Sequence, residues 1–285
     1  MSQFSPPAAT SEAKTSLPLS CGIVLYRSDL RLLQRTLEHW LTAVEQWPGS
    51  VSLTVVDQSQ STLYSDKAQR LVSELMAGSD IDWDYEIASQ NAGYGAGHNR
   101  VLARISHGWH LILNPDIELA SDALAVAAAA IHEEPELVLL APRGFNAEGV
   151  EEHLAKRHPN VWVLALRAMA PAWLKARFQR QLDHYELRDL APTANLQEVP
   201  LVSGCCMLVK SDSLRAVGGF DSAFFMYFED YDLTRRLTPL GRVCRSSAMR
   251  VVHHGGGAAR KGWRHRLWFI AGAYRFFSRW GWRFW

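Results

Sequence analysis

Three carboxylates, Glu229, Asp230 and Asp232, fall within four residues of one another, directly after the aromatic cluster Phe224, Phe225, Tyr227 and Phe228. Burying an unpaired carboxylate is expensive, so a plain core segment would not place acids against apolar rings. A solvated helix face would not need the rings. The run EDYDLTRRL reads as a helix start, where acids complement the helix dipole. A positioned carboxylate can instead act as a general base. Glu229 and Asp230 are therefore candidate catalytic residues, and the stretch alone leaves capping and reactivity both open. Asp232 is spaced for local ion pairing with Arg235 and Arg236.

Other chemically suggestive residues stand at the ends of apolar runs. Tyr26 and Arg27 close SCGIVLYR, Asp57 ends VSLTVVD, and Asn114-Pro115-Asp116 follows WHLIL. Asp and Asn are common turn formers, so each alone says little. Three at one edge of a sheet predict a ligand cleft, because ligands of open α/β sheets bind outside the carboxyl ends of the strands. The stretch NAGYGAGHN (91–99) alternates glycines at 93, 95 and 97. Such glycines let backbone approach a ligand, or simply form an irregular turn. Asn91 and Asn99 suit hydrogen bonds to a polar ligand, or a turn. The G-x-G-x-G spacing after a third strand does not match the dinucleotide fingerprint, which argues against an NAD enzyme. Asp116 suits a divalent cation, which takes oxygen ligands from a carboxylate and substrate phosphates. His253 or His254 suits a nitrogen ligand or a phosphate contact, with a purely structural pair as the other reading.

The elements that must position these groups alternate. Runs at 20–27, 51–57, 81–88, 109–114 and 137–142 read as strands. Helical spacing covers 29–47 and 64–77, a short helix follows the glycine-rich stretch, and Ser121 is placed to cap a helix over 122–133. This alternation predicts a parallel sheet with helices on both faces. Residues 143–198 are less regular, with some helix around 168–185. PLVSGCCMLVK (200–210) reads as a strand, 211–217 as a short helix ended by Gly218-Gly219, 229–240 as a helix and 242–252 as strand.

At 285 residues with 48% apolar content the chain suits one large domain or two small ones. Its net charge of +1 conceals an asymmetry: no acid follows Asp232, whereas 12 of the 30 basic residues do. The tail 259–285 carries seven Lys or Arg and ten aromatics. A basic aromatic helix of this kind predicts either packing on the domain with an exposed basic face, or an amphipathic segment on anionic lipid. No RNA-binding motif accompanies it, so nucleic acid is not expected. The four cysteines have neither disulfide nor zinc spacing and read as reduced. Residues 1–18 are polar and expected to be disordered, no secretory signal opens the chain, and no apolar run is long enough to span a bilayer.

The ordered set VVDQS (55–59), NAGYGAGHN (91–99), LNPD (113–116), SGCCMLVK (203–210), GGFDSAFFMYFEDYDLTRRL (218–237) and HHGGG (253–257) resembles glycosyltransferase family 2, and within it the bacterial rhamnosyltransferase-like branch. The resemblance covers about residues 20–258. It implies a GT-A (Rossmann-like) fold, a nucleotide-diphosphate sugar donor, Mg²⁺ or Mn²⁺, and inversion at the anomeric carbon. It implies donor binding at Tyr26, Arg27, Asp57, Asn91, Gly93, Tyr94, Gly95, Asn99, Asn114 and Asp116, with Asp57 at the nucleoside. Asp116 matches the last acid of the Asp-x-Asp metal motif, whose first acid is here Asn114. His253 matches a metal or diphosphate ligand, and Asp230 the general base. The Ser or Thr often found after the last glycine run is replaced by Ala258-Ala259.

The expectation is thus a mixed, mostly parallel α/β sheet of GT-A type over 19–258, with a nucleotide-sugar half (19–118) and an acceptor half (119–258). A membrane-associating tail follows over 259–285. The expected activity is transfer of a sugar, L-rhamnose from dTDP-L-rhamnose, onto a lipid-linked or cell-surface polysaccharide such as lipopolysaccharide O-antigen. The expected location is the cytoplasmic face of the plasma membrane. A non-catalytic nucleotide-sugar- or glycan-binding protein of the same fold, or a family 2 enzyme using another donor, stands as the alternative.

Overall fold

A computed structural model describes residues 17–105, 107–190, 195–255 and 262–285. The first half alternates as the apolar periodicity predicts: β1 (Leu19–Leu25), α1 (Leu30–Val44), β2 (Val51–Asp57), α2 (Thr62–Met76), β3 (Asp82–Ile87), α3 (Tyr94–Leu102) and β4 (Trp109–Leu113). Then come β5 (Ile117–Leu119), α4 (Ala123–Glu133), β6 (Leu137–Phe145), β7 (Glu151–Glu152) and β8 (Ala155–Lys156). The middle holds α5 (Val161–Met169), α6 (Ala172–Arg177), α7 (Gln179–Tyr185), β9 (Leu196–Glu198), β10 (Leu201–Val202), β11 (Cys206–Lys210) and α8 (Ser211–Ala216). The chain ends with α9 (Glu229–Leu237), β12 (Arg242–His253) and α10 (Gly262–Trp280).

The main sheet runs β3-β2-β1-β4-β11-β6-β12-β5, with β7 added to β6 and β9 to β12. The strands from β3 to β4 are parallel. β11 runs antiparallel to both its neighbours, and β12 is parallel to β6 but antiparallel to β5. The expected mixed, mostly parallel α/β sheet is therefore present. Register brings the predicted chemistry to one edge: Leu25 pairs with Asp57, and Ile23 with Leu113. Because β11 is reversed, its start lies at that same edge, with Cys206 opposite Leu113. Likewise β12 ends there, with His253 opposite Ile117.

Side chains alternate across the strands, so each face has its own core. Leu111 and Leu113 join α1, α2 and α4 through Leu33, Trp40, Val72 and Leu124. Ile112, Met207 and Val209 face the other way, toward Leu214, Phe220, Leu233 and Leu237. All four cysteines are free and buried.

The structure corrects several sequence expectations. Asp122, not Ser121, is the N-cap residue of α4, and its side chain makes no capping bond. The glycine-rich stretch does not precede a helix but forms the first turns of α3. The run 200–210 is two strands interrupted at 203–205, because those residues turn at the sheet edge. The helix expected over 229–240 ends at Leu237 and tightens to a 3₁₀ turn over Thr238–Leu240. Residues 1–16 of the expected disordered segment, and Ala258-Ala259, lie outside the described residues.

The tail is a helix as expected, but its inner face belongs to the domain core. Phe276 and Phe277 of α10 are buried with Phe224 and Phe228, and with Leu166 and Tyr185 of the middle segment. The Phe228 ring lies 5.6 Å from Phe276 and 5.1 Å from Phe269. Replacing a buried phenylalanine removes its transfer energy and leaves a cavity. Phe276→Ala is accordingly expected to cost about 3–5 kcal/mol in a urea unfolding experiment. A loss below about 1 kcal/mol would place α10 outside the cooperative unit.

Candidate active site

The break between β10 and β11 organises the site. The Gly204 amide donates to Asp230 Oδ2 (2.9 Å), and the Gly204 carbonyl accepts from the Tyr94 hydroxyl (2.6 Å). One residue on, the Cys205 carbonyl accepts from the Asn114 amide (2.8 Å). Adjacent residues of one turn thus tie the carboxylate of α9 to the Asn-Pro-Asp turn after β4. A side chain at 204 would crowd this joint, since a Cβ there would lie 3.2 Å from the Asp230 Cβ.

The structure sorts the three acids by environment. Asp232 is fully buried and accepts from Arg236 Nε (2.7 Å) and Trp280 Nε1 (2.9 Å), so it bolts α9 to α10. Of the two arginines expected to pair with it, only Arg236 does so from within α9; Arg235 lies over the Trp280 ring. Glu229 caps nothing, because the N-cap residue of α9 is Phe228 and no side chain caps it. Glu229 is buried, its Oε2 has no hydrogen-bond partner, and burial with the neighbouring Asp230 charge holds it well above the usual carboxylate range. Asp230 is only half-buried. Burial pushes its carboxyl up to about 6, against the pull of the Gly204 and Tyr231 amides. A carboxyl raised to about 6 is ionised at neutral pH, so Asp230 is the member of the pair able to accept a proton, while burial disfavours charge on Glu229.

The turn that presents them is strained. Tyr227 and Phe228 both take left-handed backbone angles, φ 71° and 69°. Such residues persist only where packing over-determines them. Here the Phe228 ring is locked in the α10 core and the Tyr227 hydroxyl meets His265 Nδ1 at 2.8 Å. Of the aromatic cluster, Phe224 and Phe228 are buried as core.

At the other side of the turn, Asp116 and His253 come together. His253 Nε2 stands 3.7 Å from Asp116 Oδ1, while Nδ1 lies 2.8 Å from Glu152 Oε2. A carboxylate on one ring nitrogen fixes the tautomer and leaves the other nitrogen free to ligate. Glu152 was not foreseen, because β7 is two residues long and only the sheet brings it beside β12. His254 points elsewhere: its ring nitrogen is 2.7 Å from Glu118, which also meets Arg35.

These residues fit a divalent metal. Among the described residues, Asn114 Oδ1 and Asp116 Oδ1 are buried without hydrogen-bond partners, as ligand oxygens would be. Gly255 keeps the space beside them open, since a Cβ there would come within 2.2 Å of Asp116 Oδ2 and 2.6 Å of His253 Nε2. Two oxygens and one imidazole suit Mg²⁺ or Mn²⁺. Among the described residues no group of three His, Cys, Asp or Glu side chains is gathered for a metal. The remaining ligands would fall to substrate phosphates and water.

The expected donor-binding residues divide. Tyr26 and Arg27 are exposed just after β1, with Arg27 held by its amide on Ser59 Oγ (2.7 Å). Asp57 is wholly buried and accepts from the Ser59 amide and the Ser65 and Tyr85 hydroxyls, so it braces the loop. Its carboxylate shows no free face for the expected nucleoside contact. Asn91 accepts from the Gly93 amide, and Asn99 spends both ends of its amide on the Phe220 backbone. Asn99 is a clamp between α3 and the segment before α9, not the ligand contact the sequence suggested. Gly93 is required there by its φ of 99° and by Phe225, whose carbonyl oxygen lies 2.2 Å from any Cβ. Gly95 lets the Phe220 ring approach in the same way. Gln58, also unforeseen, joins β2 to this stretch by bonds to the Gly93 carbonyl and the Ala92 amide.

No protein-family model matches the chain. It is similar to the N-acetylglucosaminyl-diphospho-decaprenol L-rhamnosyltransferase of Mycobacterium tuberculosis, with 29% identity over 178 residues, 58% of this chain and 56% of that protein. The match therefore spans about half the length of that relative. The solved structure of GalNAc-T7 with UDP, GalNAc and Mn²⁺ shares the fold, with a TM-score of 0.58 at 14% identity over 85% of this chain and 44% of the other. So does the mannosyltransferase PcManGT from Pyrobaculum calidifontis in complex with GDP-Man and Mn²⁺, with a TM-score of 0.56 at 14% identity over 95% and 68% of the two chains. The fold is of GT-A type, and the similarity to a rhamnosyltransferase agrees with the resemblance carried by the motifs.

Proposed function

We propose, from a chain that is family 2-like in sequence and GT-A in fold, that this protein is an inverting glycosyltransferase. The observation that carries this reading is the half-buried, ionisable Asp230, joined through the 204–205 turn to the Asn114–Asp116–His253 group. The donor we infer is a nucleotide-diphosphate sugar, dTDP-L-rhamnose, after the rhamnosyltransferase relative. The acceptor we infer is a lipid-linked saccharide at the cytoplasmic face of a membrane, after the diphospho-decaprenol in that relative's name.

The chemistry follows from where the groups stand. The acceptor hydroxyl oxygen attacks the anomeric carbon while its proton passes to the Asp230 carboxylate. The bond from that carbon to the diphosphate oxygen breaks on the opposite side, and the nucleoside diphosphate leaves with the electron pair. A Mg²⁺ or Mn²⁺ bound by Asn114, Asp116 and His253 would neutralise charge on the leaving diphosphate. The Gly204 amide steadies Asp230, and burial disfavours a second negative charge on Glu229 beside it. Tyr26 and Arg27 border the donor's end of the cleft.

Thermal shift with nucleotide sugars, with and without Mn²⁺, tests the donor, since a ligand of the folded state raises its apparent stability. Turnover of the stabilising donor tests catalysis. Asp230 must be ionised to accept a proton, so kcat/KM is expected to fall as pH drops through about 6. Donor binding without turnover at any pH would identify a binding protein instead.

A further inference from the structure

Among the described residues, nothing packs over the outer face of α10. Trp263, Leu267, Ile270 and Tyr274 are 69%, 55%, 63% and 63% exposed. Their spacing of four, three and four residues lines them along one side of the helix, roughly opposite the buried Gly272 and Phe276. At about 100° per residue, Arg266 falls on one side of this stripe and Arg264 and Arg275 on the other. All three arginines are exposed. Among the described residues none of them is in an ion pair, whereas Arg279, nearer the packed face, is tied to Asp221 and Asp232. The stripe continues beyond the helix, where Trp282 meets Tyr274 at 5.7 Å and stacks on Phe284 at 5.9 Å.

We infer that this face of α10 docks flat on an anionic bilayer, with the aliphatic and aromatic stripe in the interface and the arginines at the lipid phosphates. Charge decides the occupant. A second copy of the chain would set arginine against arginine, with no acid after Asp232 to pair them. No helix among the described residues is long and apolar enough to cross a membrane, so the helix lies on the surface.

The packed face of the same helix gives docking a consequence. A Cβ at Gly272 would stand 2.5 Å from the Tyr227 carbonyl oxygen, so α10 presses directly on the strained turn before Glu229 and Asp230. A docked α10 therefore fixes the height of the Asp230 turn relative to the lipid surface. This inference stands on the helix alone and is independent of the sugar transferred.

Sedimentation of the full chain with vesicles tests it. Binding is expected to phosphatidylcholine vesicles containing about 30% phosphatidylglycerol, weakening with salt, and not to phosphatidylcholine alone. The L267E/I270E variant and, separately, the R264Q/R266Q/R275Q variant should each bind on the order of a hundredfold more weakly. Unchanged circular-dichroism melts would show both folded, since these side chains are exposed. Wild-type binding by either folded variant, or equal binding to neutral vesicles, overturns the proposal. So does a dimer in analytical ultracentrifugation that L267E dissociates, because a second copy would then cover the stripe. Failure of sugar transfer leaves the vesicle result standing, which keeps the two readings separable.

Discussion

Asp230→Asn lowers transfer by roughly 10²–10⁴-fold while donor affinity stays within about twofold, the scale set by removal of a positioned general base. The two readouts separate because Asp230 hangs from the Gly204 amide on one side of the 203–205 turn, while the proposed metal ligands lie on the other. Stability should move little. With its carboxyl raised to about 6, Asp230 stabilises the fold only when protonated, and that contribution is lost as pH rises through about 6. Above that pH the variant is spared the burial of a charge, worth about 3 kcal/mol for roughly two pH units. Against this, an amide has one acceptor oxygen for the two backbone donors of Gly204 and Tyr231, at a cost of about 1–3 kcal/mol. The melting temperature is therefore expected to hold or rise slightly at pH 7.5. Transfer near the wild-type rate would move the base elsewhere, and Glu229 is the carboxylate next to it.

Gly255→Ala is expected to reduce metal-dependent transfer on the order of a thousandfold, the worth of several kcal/mol of charge neutralisation at a leaving diphosphate. The added methyl would fall 2.2 Å from Asp116 Oδ2 and 2.6 Å from His253 Nε2, in the space a metal would take. Gly255 does not have a left-handed backbone angle, so strain should not confuse the result. Mn²⁺ titration followed by electron paramagnetic resonance gives a reading that does not depend on turnover. Unaltered Mn²⁺ affinity in the folded variant would show that the metal does not bind between Asp116 and His253.

Much of the frame was legible from local pattern. Short apolar runs alternating with helical spacing announced the parallel half of the sheet, because a strand buried on both faces must be apolar throughout. The strand-end residues Asn114 and Asp116 were legible for a related reason: polar residues interrupting such runs mark the edge where ligands bind. The middle segment was not legible, since α5, α6 and α7 are short and the buried positions of α5 and α7 belong to a cluster completed by Phe276 and Phe277 of α10, far along the chain. Asn99 and Asp57 misled because a polar side chain that clamps backbone has the same sequence appearance as one that meets a ligand.

The sequence by itself determined the sheet class, the family resemblance and the short list of acids and histidines. Nothing in it could rank Glu229, Asp230 and Asp232, which lie within four residues and share one chemistry. The tertiary structure ranked them through partners distant in the chain. Trp280 and Arg279 claim Asp232, burial raises the proton affinity of Glu229, and the Gly204 amide holds Asp230 half-open and ionisable. In the same way Glu152 pairs with His253 and not His254, and core packing split the tail into one face that folds the protein and one left exposed. A carboxylate's proton affinity depends on the dielectric and donors around it, and those are set by which segments the fold brings together.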